Sequence, residues 1–146
     1  MGIEAQVEQG IKTALQAFTD TLAPDDNPTY RCFYLDDETD TGRTTEPKEY
    51  PMVRITASPN VPTFHKATFR DIPVELMFAT HKSADKKRAK LVALYEGCRA
   101  IVDAESTVSV SGYNLTGIII ESGGESGVDE NEQYITLPLT VKICGA

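Results

Sequence analysis

The sequence is poor in histidine and cysteine, residue types that commonly bind metals or carry out acid–base and redox chemistry. It has two histidines, His65 and His81, and three cysteines, Cys32, Cys98 and Cys144, which are far apart in sequence. No C-x-x-C pattern occurs, so neither a zinc ribbon nor a thiol redox motif is supported. We therefore expect three free and mostly buried thiols in a reducing compartment.

Long hydrophobic runs are also missing. No apolar stretch approaches the ~20 residues that a membrane-spanning helix needs. The first ten residues, MGIEAQVEQG, lack the basic start and apolar centre of a secretory signal. The sequence therefore predicts neither membrane association nor secretion.

Basic residues are outnumbered by acidic ones. There are 14 Lys and Arg against 22 Asp and Glu, which gives a net charge of −8. Because affinity for phosphates comes from clustered Lys and Arg, this balance argues against a broad nucleic-acid-binding surface. The acidic excess is compatible with solubility alone, with contact to a basic partner, or with DNA that passes without adhering.

The chain is long enough for one domain, which we place at 1–146. Within it, apolar residues at helical spacing predict two helices. Pro24 ends the first helix. The second begins near Ser83, a natural N-cap, has Asp85 at its positive end, and stops near Asp103. The predicted apolar stripes are Ile3, Val7, Ile11, Leu15, Phe18 and Leu22 for the first helix, and Ala89, Val92, Tyr95, Cys98 and Ile101 or Val102 for the second.

Strands are predicted at 30–35, 52–56, 69–79, 118–120 and 134–144. The third and the last alternate apolar and polar residues, which is typical of a strand with one buried face. Pro138 cannot donate a ladder hydrogen bond, so it indicates an edge or a bulge. The predicted class is α+β: one mostly antiparallel or mixed sheet with two helices packed on one face, in the order α-β-β-β-α-β-β, with long exposed loops.

Two acidic segments and one basic helix face are candidates for contacts between copies. We predict that loops 36–50 and 121–132 order only in an assembly, where the acidic residues of 36–46 or 121–132 could meet the basic helix face of another copy. Opposite charges steer assembly and fix orientation, although plain solvated surfaces are the alternative. If these loops fold onto their own subunit, the hypothesis loses support. The candidates are Asp36, Asp37, Glu38, Asp40, Glu121, Glu125, Asp129, Glu130, Glu132, Lys86, Lys87, Arg88 and Lys90.

A catalytic cluster is conceivable at His81, Ser83 and Asp85, which are close in sequence. A Ser-His-Asp site needs three side chains that converge in space, and these residues are more simply a strand-to-helix turn with its cap. We therefore expect no catalytic residues.

Two loop patterns suggest a ligand only weakly. Asp36, Glu38 and Asp40 alternate as in a calcium loop, but Thr41 and Pro47 stand where an EF-hand needs Gly and Glu. The Gly-Gly pair at 123–124 lacks the Lys of a phosphate-binding loop. We expect no metal and no cofactor.

Several segments, taken in order, form a pattern shared with a known family. An amphipathic N-terminal helix is followed by YPMVRI at 50–55 and FRDIPVELMF at 69–78, then by a helix after Ser83. SGY at 111–113 opens the last β section, and an acidic loop leads to the closing strand. This layout resembles the tail terminator, or tail-completion, proteins of long-tailed bacteriophages over nearly the whole chain, without a signature motif.

The resemblance implies a virion structural protein at the head-proximal end of the tail, made in the host cytoplasm. Such proteins form a hexameric ring that caps the tail tube and joins it to the head connector, while DNA passes through the centre. The implied partners are further copies of the chain, the tail tube protein and the connector or neck protein, with no specific DNA binding. Other neck or tube-related proteins are the first alternative, and a small enzyme or cation-binding module is the second.

Overall fold

Two long helices and a mixed sheet make up the protein, as the computed structural model describes it for residues 2–36, 49–58, 61–62 and 69–145. The predicted α+β class is confirmed. In chain order the elements are α1 (Ile3–Thr19), β1 (Thr29–Cys32), α2 (Phe33–Asp36), β2 (Met52–Ala57), β3 (Val61–Pro62), β4 (Phe69–His81), α3 (Ala89–Ala104), β5 (Tyr113–Ile120), β6 (Ser126–Val128) and β7 (Glu132–Gly145).

The sheet has the strand order β1-β2-β4-β7-β5, with β3 paired to β4 and β6 paired to β7. β1 runs parallel to β2, and the other pairs are antiparallel. β4 and β7 pair over the whole length of β4, from Phe69 opposite Cys144 to His81 opposite Glu132. These two strands therefore form the centre of the sheet.

The core lies between the helices and one face of the sheet. Alternation along β4 puts Ile72, Val74, Leu76 and Phe78 on that face, each at most 2% exposed. Val7, Ile11 and Leu15 of α1, Leu91, Leu94, Cys98 and Val102 of α3, and Leu137, Leu139, Val141 and Ile143 of β7 join them. A smaller cluster, Met52, Met77 and Ala79 with Tyr50 and Tyr134, lies apart from this core.

The first predicted strand, 30–35, is too long. It ends at Cys32, and the chain turns into α2. Glu8, which is fully buried on α1, accepts a 2.7 Å hydrogen bond from the backbone N–H of Tyr34. Because the Tyr34 N–H bonds to Glu8, it is not available for a hydrogen bond between strands. The local structure therefore depends on Glu8, which is distant in sequence.

The predicted apolar stripe of the second helix is partly wrong. Leu91, Leu94, Cys98 and Val102 are the buried residues of α3, whereas Ala89 and Val92 are exposed. The sequence holds two overlapping stripes that share Cys98 and Val102. Leucine removes more apolar area from water than alanine or valine, so the stripe with two leucines faces the core.

The segment 121–132 is not the unpaired loop that we predicted. It contains β6, whose Ser126 lies opposite Ile135 and whose Val128 lies opposite Gln133 in β7. The other predicted loop falls largely outside the described residues. Those outside are Asp37, Glu38, Asp40 and the remainder of 37–48, and the side chain of Asp36 is likewise not described.

Pro138 lies inside the sheet, at a point where neighbouring strands change. It is opposite Glu75 of β4, and its carbonyl accepts a 2.9 Å hydrogen bond from Glu121 N–H, between the end of β5 and the start of β6. In an extended strand the N and O of one residue point to the same side, so the missing N–H costs no bond to β4. The predicted edge strand is thus wrong, but Pro138 does mark an irregular site.

Candidate functional site

Asp85 fixes the start of α3. This buried carboxylate accepts hydrogen bonds from the backbone N–H groups of Lys90 at 3.1 Å and Leu91 at 2.9 Å, and from the Thr80 hydroxyl at 3.1 Å. A carboxylate at free N–H groups stabilises a helix start. The cap that we predicted at Ser83 is therefore made by Asp85, and the helix begins at Ala89.

The candidate catalytic cluster does not converge. Ser83 Oγ lies 2.7 Å from His81 Nδ1 on an exposed turn. The carboxylate of Asp85 is turned toward the helix start, where both of its oxygens accept other hydrogen bonds. These three side chains therefore lack the relay that a nucleophile–base–acid site needs.

Glu132, a predicted interface residue, is buried instead. It lies opposite His81 at the start of β7 and accepts a 2.5 Å hydrogen bond from the Tyr50 hydroxyl. Burial, and next the hydrogen bond to Glu132, raise the pKa of Tyr50, so the phenol keeps its proton and donates. This pair ties the segment before β2 to β7.

The α3 helix and the segment 121–126 form the walls of a groove of about 680 Å³, with 135–138 of β7 between them. We call this the α3 groove. Lys87, Arg88 and Arg99 bring positive charge to its helix wall, and Val92 and Tyr95 bring apolar surface. The groove thus combines an apolar surface with a cationic rim.

Arg88 is the most unusual residue of the α3 groove. Its backbone is left-handed, with φ of 62°, which a non-glycine residue rarely adopts. Its buried Nε has no hydrogen-bond partner among the described residues. A buried donor without an acceptor and a strained backbone at one residue are features that cluster at binding sites.

Arg99 and Tyr95 form a second cationic feature one helical turn apart. Arg99 Nη1 donates a 2.7 Å hydrogen bond to the Tyr95 hydroxyl, and the guanidinium carbon lies 6.0 Å from the ring centroid. The arrangement holds the guanidinium against the ring at the lining of the groove.

The opposite wall is held close to β7. Glu121 accepts a 2.9 Å hydrogen bond from the Thr140 hydroxyl, and Glu125 N–H donates to Thr136 Oγ1 at 2.7 Å. A Cβ on Gly124 would lie 2.6 Å from the Thr136 carbonyl oxygen, so a side chain there would push the segment off the sheet. This glycine keeps the wall in place.

The turn between β6 and β7 is exposed and ordered by its own hydrogen bonds. Val128, Asp129 and Glu130, which we call the hairpin tip, are all exposed, and Val128 is 59% exposed. Asp129 N–H donates to the Glu132 carbonyl, and Glu130 N–H donates to Asp129 Oδ1, each at 2.7 Å. Lys82 N–H donates to the Asn131 carbonyl at 3.1 Å, which ties the turn to the end of β4.

The predicted interface residues therefore fall in several places. Lys87 and Arg88 line the α3 groove with Glu121 and Glu125, while Asp129 and Glu130 lie at the hairpin tip. Lys86 is exposed at the start of α3. Lys90 instead pairs with Asp26 of its own chain, Nζ to Oδ1 at 2.9 Å, and the hydrogen bond to that carboxylate raises the pKa of Lys90.

Sequence reasoning placed Val92 and Tyr95 on the core side of the helix. Val92 is exposed in the groove instead, whereas Tyr95 packs against the core, with its ring centroid 5.8 Å from that of Phe78, and also lines the groove. Tyr95 and Arg99 are four residues apart on a helix, and this spacing is a local signal that their side chains are neighbours. Nothing local shows that 121–126 would form the facing wall.

The described residues hold neither a cluster of metal ligands nor a membrane-spanning helix. Across 2–36, 49–58 and 69–145, no three His, Cys, Asp or Glu side chains are grouped so as to hold a metal ion. In the same part of the chain, no helix has the length and apolar character to cross a bilayer.

Comparison with known proteins gives a structural likeness only. No known protein-family model matches the chain, and no curated protein matches it. The fold is similar to that of a chain in a solved structure described as the virion of a native gene transfer agent (GTA) particle, with a TM-score of 0.59 and 13% sequence identity. The match covers 98% of this chain and 95% of that one, so the two share their fold over almost their whole length.

Proposed function

We propose that this chain is a non-enzymatic structural protein of a phage-like virion. In this proposal its copies form a hexameric ring that caps the tail tube and joins it to the head connector, with DNA passing through the centre. The observation that carries the proposal is the nearly end-to-end likeness to a chain of a gene transfer agent virion. The order of elements that resembles tail terminators points in the same direction.

Charge supports the proposal in two ways. The net charge of −8 suits a channel wall that DNA passes without adhering, because like charges repel. Exposed cations lie near the start of α3 and exposed acids lie at the hairpin tip, so the surface carries opposite charges that suit contact between copies.

One expectation gives no support. We expected 121–132 to order only in an assembly, yet its β6 strand pairs with β7 of the same chain. Assembly through this region would therefore use a preformed hairpin, whose docking costs less conformational entropy than the ordering of a loose loop.

Electron microscopy and native mass spectrometry test the proposal. We expect hexameric rings, either of the protein alone or after it meets tail tubes, and a single ring at one end of each tube. A protein that stays monomeric and never joins tail particles would contradict the proposal.

Tube growth separates a terminator from a tube-related protein of the same fold. When the protein is added to polymerising tube subunits, we expect tubes to stop lengthening, in proportion to the amount added. Tubes that incorporate the protein along their length would favour the tube-related alternative. An equal amount of an unrelated acidic protein is the control.

A further inference from the structure

We propose that the hairpin tip of one copy binds in the α3 groove of the next copy, and that this is the repeating contact of the ring. The inference rests on the proposed function only in taking a second copy of this chain as the partner. It names the two surfaces that meet.

Exposed hydrophobic residues lie on both of the proposed surfaces. Only four large apolar side chains of the described residues are prominently exposed, Phe69, Val92, Ile119 and Val128. Val128, the most exposed, lies at the hairpin tip, and Val92, 40% exposed, lies in the α3 groove. Contact between the two removes both side chains from water, which no contact within the described chain does.

The two surfaces also carry opposite charges. The hairpin tip places Asp129 and Glu130 directly after Val128, and the α3 groove places Arg88 and Arg99 around Val92. A tip carboxylate would meet the positive charges of Arg88, which is partly exposed, and of Arg99, which is exposed. Arginine forms charge-assisted, fork-shaped pairs with carboxylates, so such a contact would fix the orientation of the hairpin.

The acids on the far wall do not cancel this attraction. Lys87, Arg88 and Arg99 outnumber Glu121 and Glu125 among the charged residues that line the groove. The Glu121 carboxylate is also engaged by the Thr140 hydroxyl. The hairpin tip therefore approaches along the helix wall.

The hairpin tip and the α3 groove adjoin on one chain but do not overlap. The lining of the groove includes Ser126 and Ile135 but no residue of the tip, and Gln133 Nε2, close to the tip, donates a 2.5 Å hydrogen bond to the Asp85 carbonyl before α3. Each copy can therefore use its tip for one neighbour and its groove for another, and a contact repeated in this way closes a ring where the rotation allows.

A charge exchange tests the contact by sedimentation and native mass spectrometry. The tip variant is Asp129→Asn/Glu130→Lys, in which asparagine keeps the acceptor for the turn. The groove variant is Lys87→Glu/Arg99→Glu. We expect each variant alone to self-associate about tenfold more weakly than wild type, because like charges then face each other.

Mixing the two variants should restore assembly, since each then finds an opposite charge in the other. Asp103→Lys, at an exposed position near the end of α3 and outside the groove lining, is the matched control and should assemble like wild type. If the mixture assembles no better than each variant alone, the proposed contact is wrong. If assembly stops at two copies, the contact does not repeat around a ring.

Disulfide trapping gives a readout that does not need a stable oligomer. In a Cys144→Ser background, a Val92→Cys chain is mixed with a Val128→Cys chain and oxidised with a copper–phenanthroline catalyst. We expect a cross-linked pair, and none from Ile119→Cys with Val128→Cys, although Ile119 is as exposed as Val92. Equal cross-linking of both pairs, or of neither, would overturn the proposal.

The two proposals fail in different ways. Hexameric rings without a 92–128 cross-link would refute this contact and leave the ring function standing. A 92–128 cross-link in a protein that never joins tail particles would support this contact and refute the tail function.

Discussion

Glu8 is a buried charge that holds two chain segments at once. Its carboxylate is fully buried and accepts hydrogen bonds from Tyr34 N–H at 2.7 Å and from Ala57 N–H at 2.8 Å. Burying a carboxylate is costly unless hydrogen bonds compensate it, and each of these bonds is assisted by the charge. One side chain of α1 thus fixes both the start of α2 and the end of β2.

We predict that Glu8→Gln lowers the free energy of unfolding by about 2–4 kcal/mol. Glutamine keeps one acceptor oxygen, but its NH₂ group would face the second backbone N–H, and two donors cannot form a hydrogen bond. Urea denaturation followed by circular dichroism measures the change. Glu96→Gln, at an exposed position on α3, should change stability by less than about 0.5 kcal/mol. Equal stability of Glu8→Gln and wild type would show that the carboxylate is not needed.

Cys98 provides a pH-dependent prediction. Burial raises the pKa of this thiol to about 12, whereas Cys144 is only partly buried. We expect iodoacetamide at pH 8 to modify Cys144 and spare Cys98 in the folded protein, as mass spectrometry of peptides would show. Modification of both thiols at the same rate would contradict the buried site.

The sign of the effect on stability follows from the same pKa. Below the ordinary thiol pKa, ~8.5, Cys98 is neutral in both folded and unfolded chains and adds no pH dependence. Above it, the unfolded chain loses the proton first, so stability falls as pH rises toward the folded value. This loss should be smaller in Cys98→Ala.

At the scale of elements, α1 packs unusually close to the chain after α3. A Cβ on Gly10 would lie 2.1 Å from the backbone oxygen of Ser109. Alanine normally stabilises a helix by ~1 kcal/mol relative to glycine. At position 10 the contact with the backbone of Ser109 leaves no room for the methyl group of alanine. The close packing of α1 against the segment after α3 therefore depends on glycine at this position.

We predict that Gly10→Ala destabilises the protein by about 1–3 kcal/mol, against the intrinsic helix preference. Thermal unfolding measures it. Gly117→Ala is the matched control, because its Cβ would meet the Glu105 carboxylate at 3.5 Å, an ordinary contact. A stabilised Gly10→Ala protein would mean that α1 is free to move away from Ser109.

The α3 cap gives a prediction with a control supplied by the sequence itself. Asp85→Ala should cost at least about 2 kcal/mol, because it removes the cap and leaves the Lys90 and Leu91 N–H groups without it. Ser83→Ala, at the cap that the sequence predicts, should change stability by less than about 0.5 kcal/mol. Chemical denaturation of both variants decides between the two caps.

Periodicity predicted the elements whose structure depends on an apolar face. β4, β7 and α1 follow this rule, since burial of alternate or helically spaced residues decides them. The start of α3 and the end of β1 were not predictable, because Asp85 and Glu8 act there through contacts that no local pattern shows. The charges of the candidate site were visible in sequence, but the left-handed Arg88 and the pairing of β6 were not.

At the scale of the whole molecule, the proposed contact between the hairpin tip and the α3 groove is partly electrostatic. We therefore expect self-association to weaken as salt rises from about 0.05 to 0.5 M, because ions screen partly exposed charges. Sedimentation at several salt concentrations measures this. The tip variant should instead associate more strongly as salt rises, because its tip and the groove then carry like charges whose repulsion is screened. A wild-type association that strengthens with salt would indicate a mainly apolar interface.

The pairing of β4 with β7 has a consequence for biosynthesis. These strands form the middle of the sheet, yet α3, β5 and β6 lie between them in sequence. As the ribosome makes the chain, β4 can pair with β2, but its other edge has no partner until β7 emerges. Non-local pairing of this kind is slow and leaves nascent chains open to aggregation. A chaperone that holds the unpaired β4 during this interval would therefore raise the yield of folded protein.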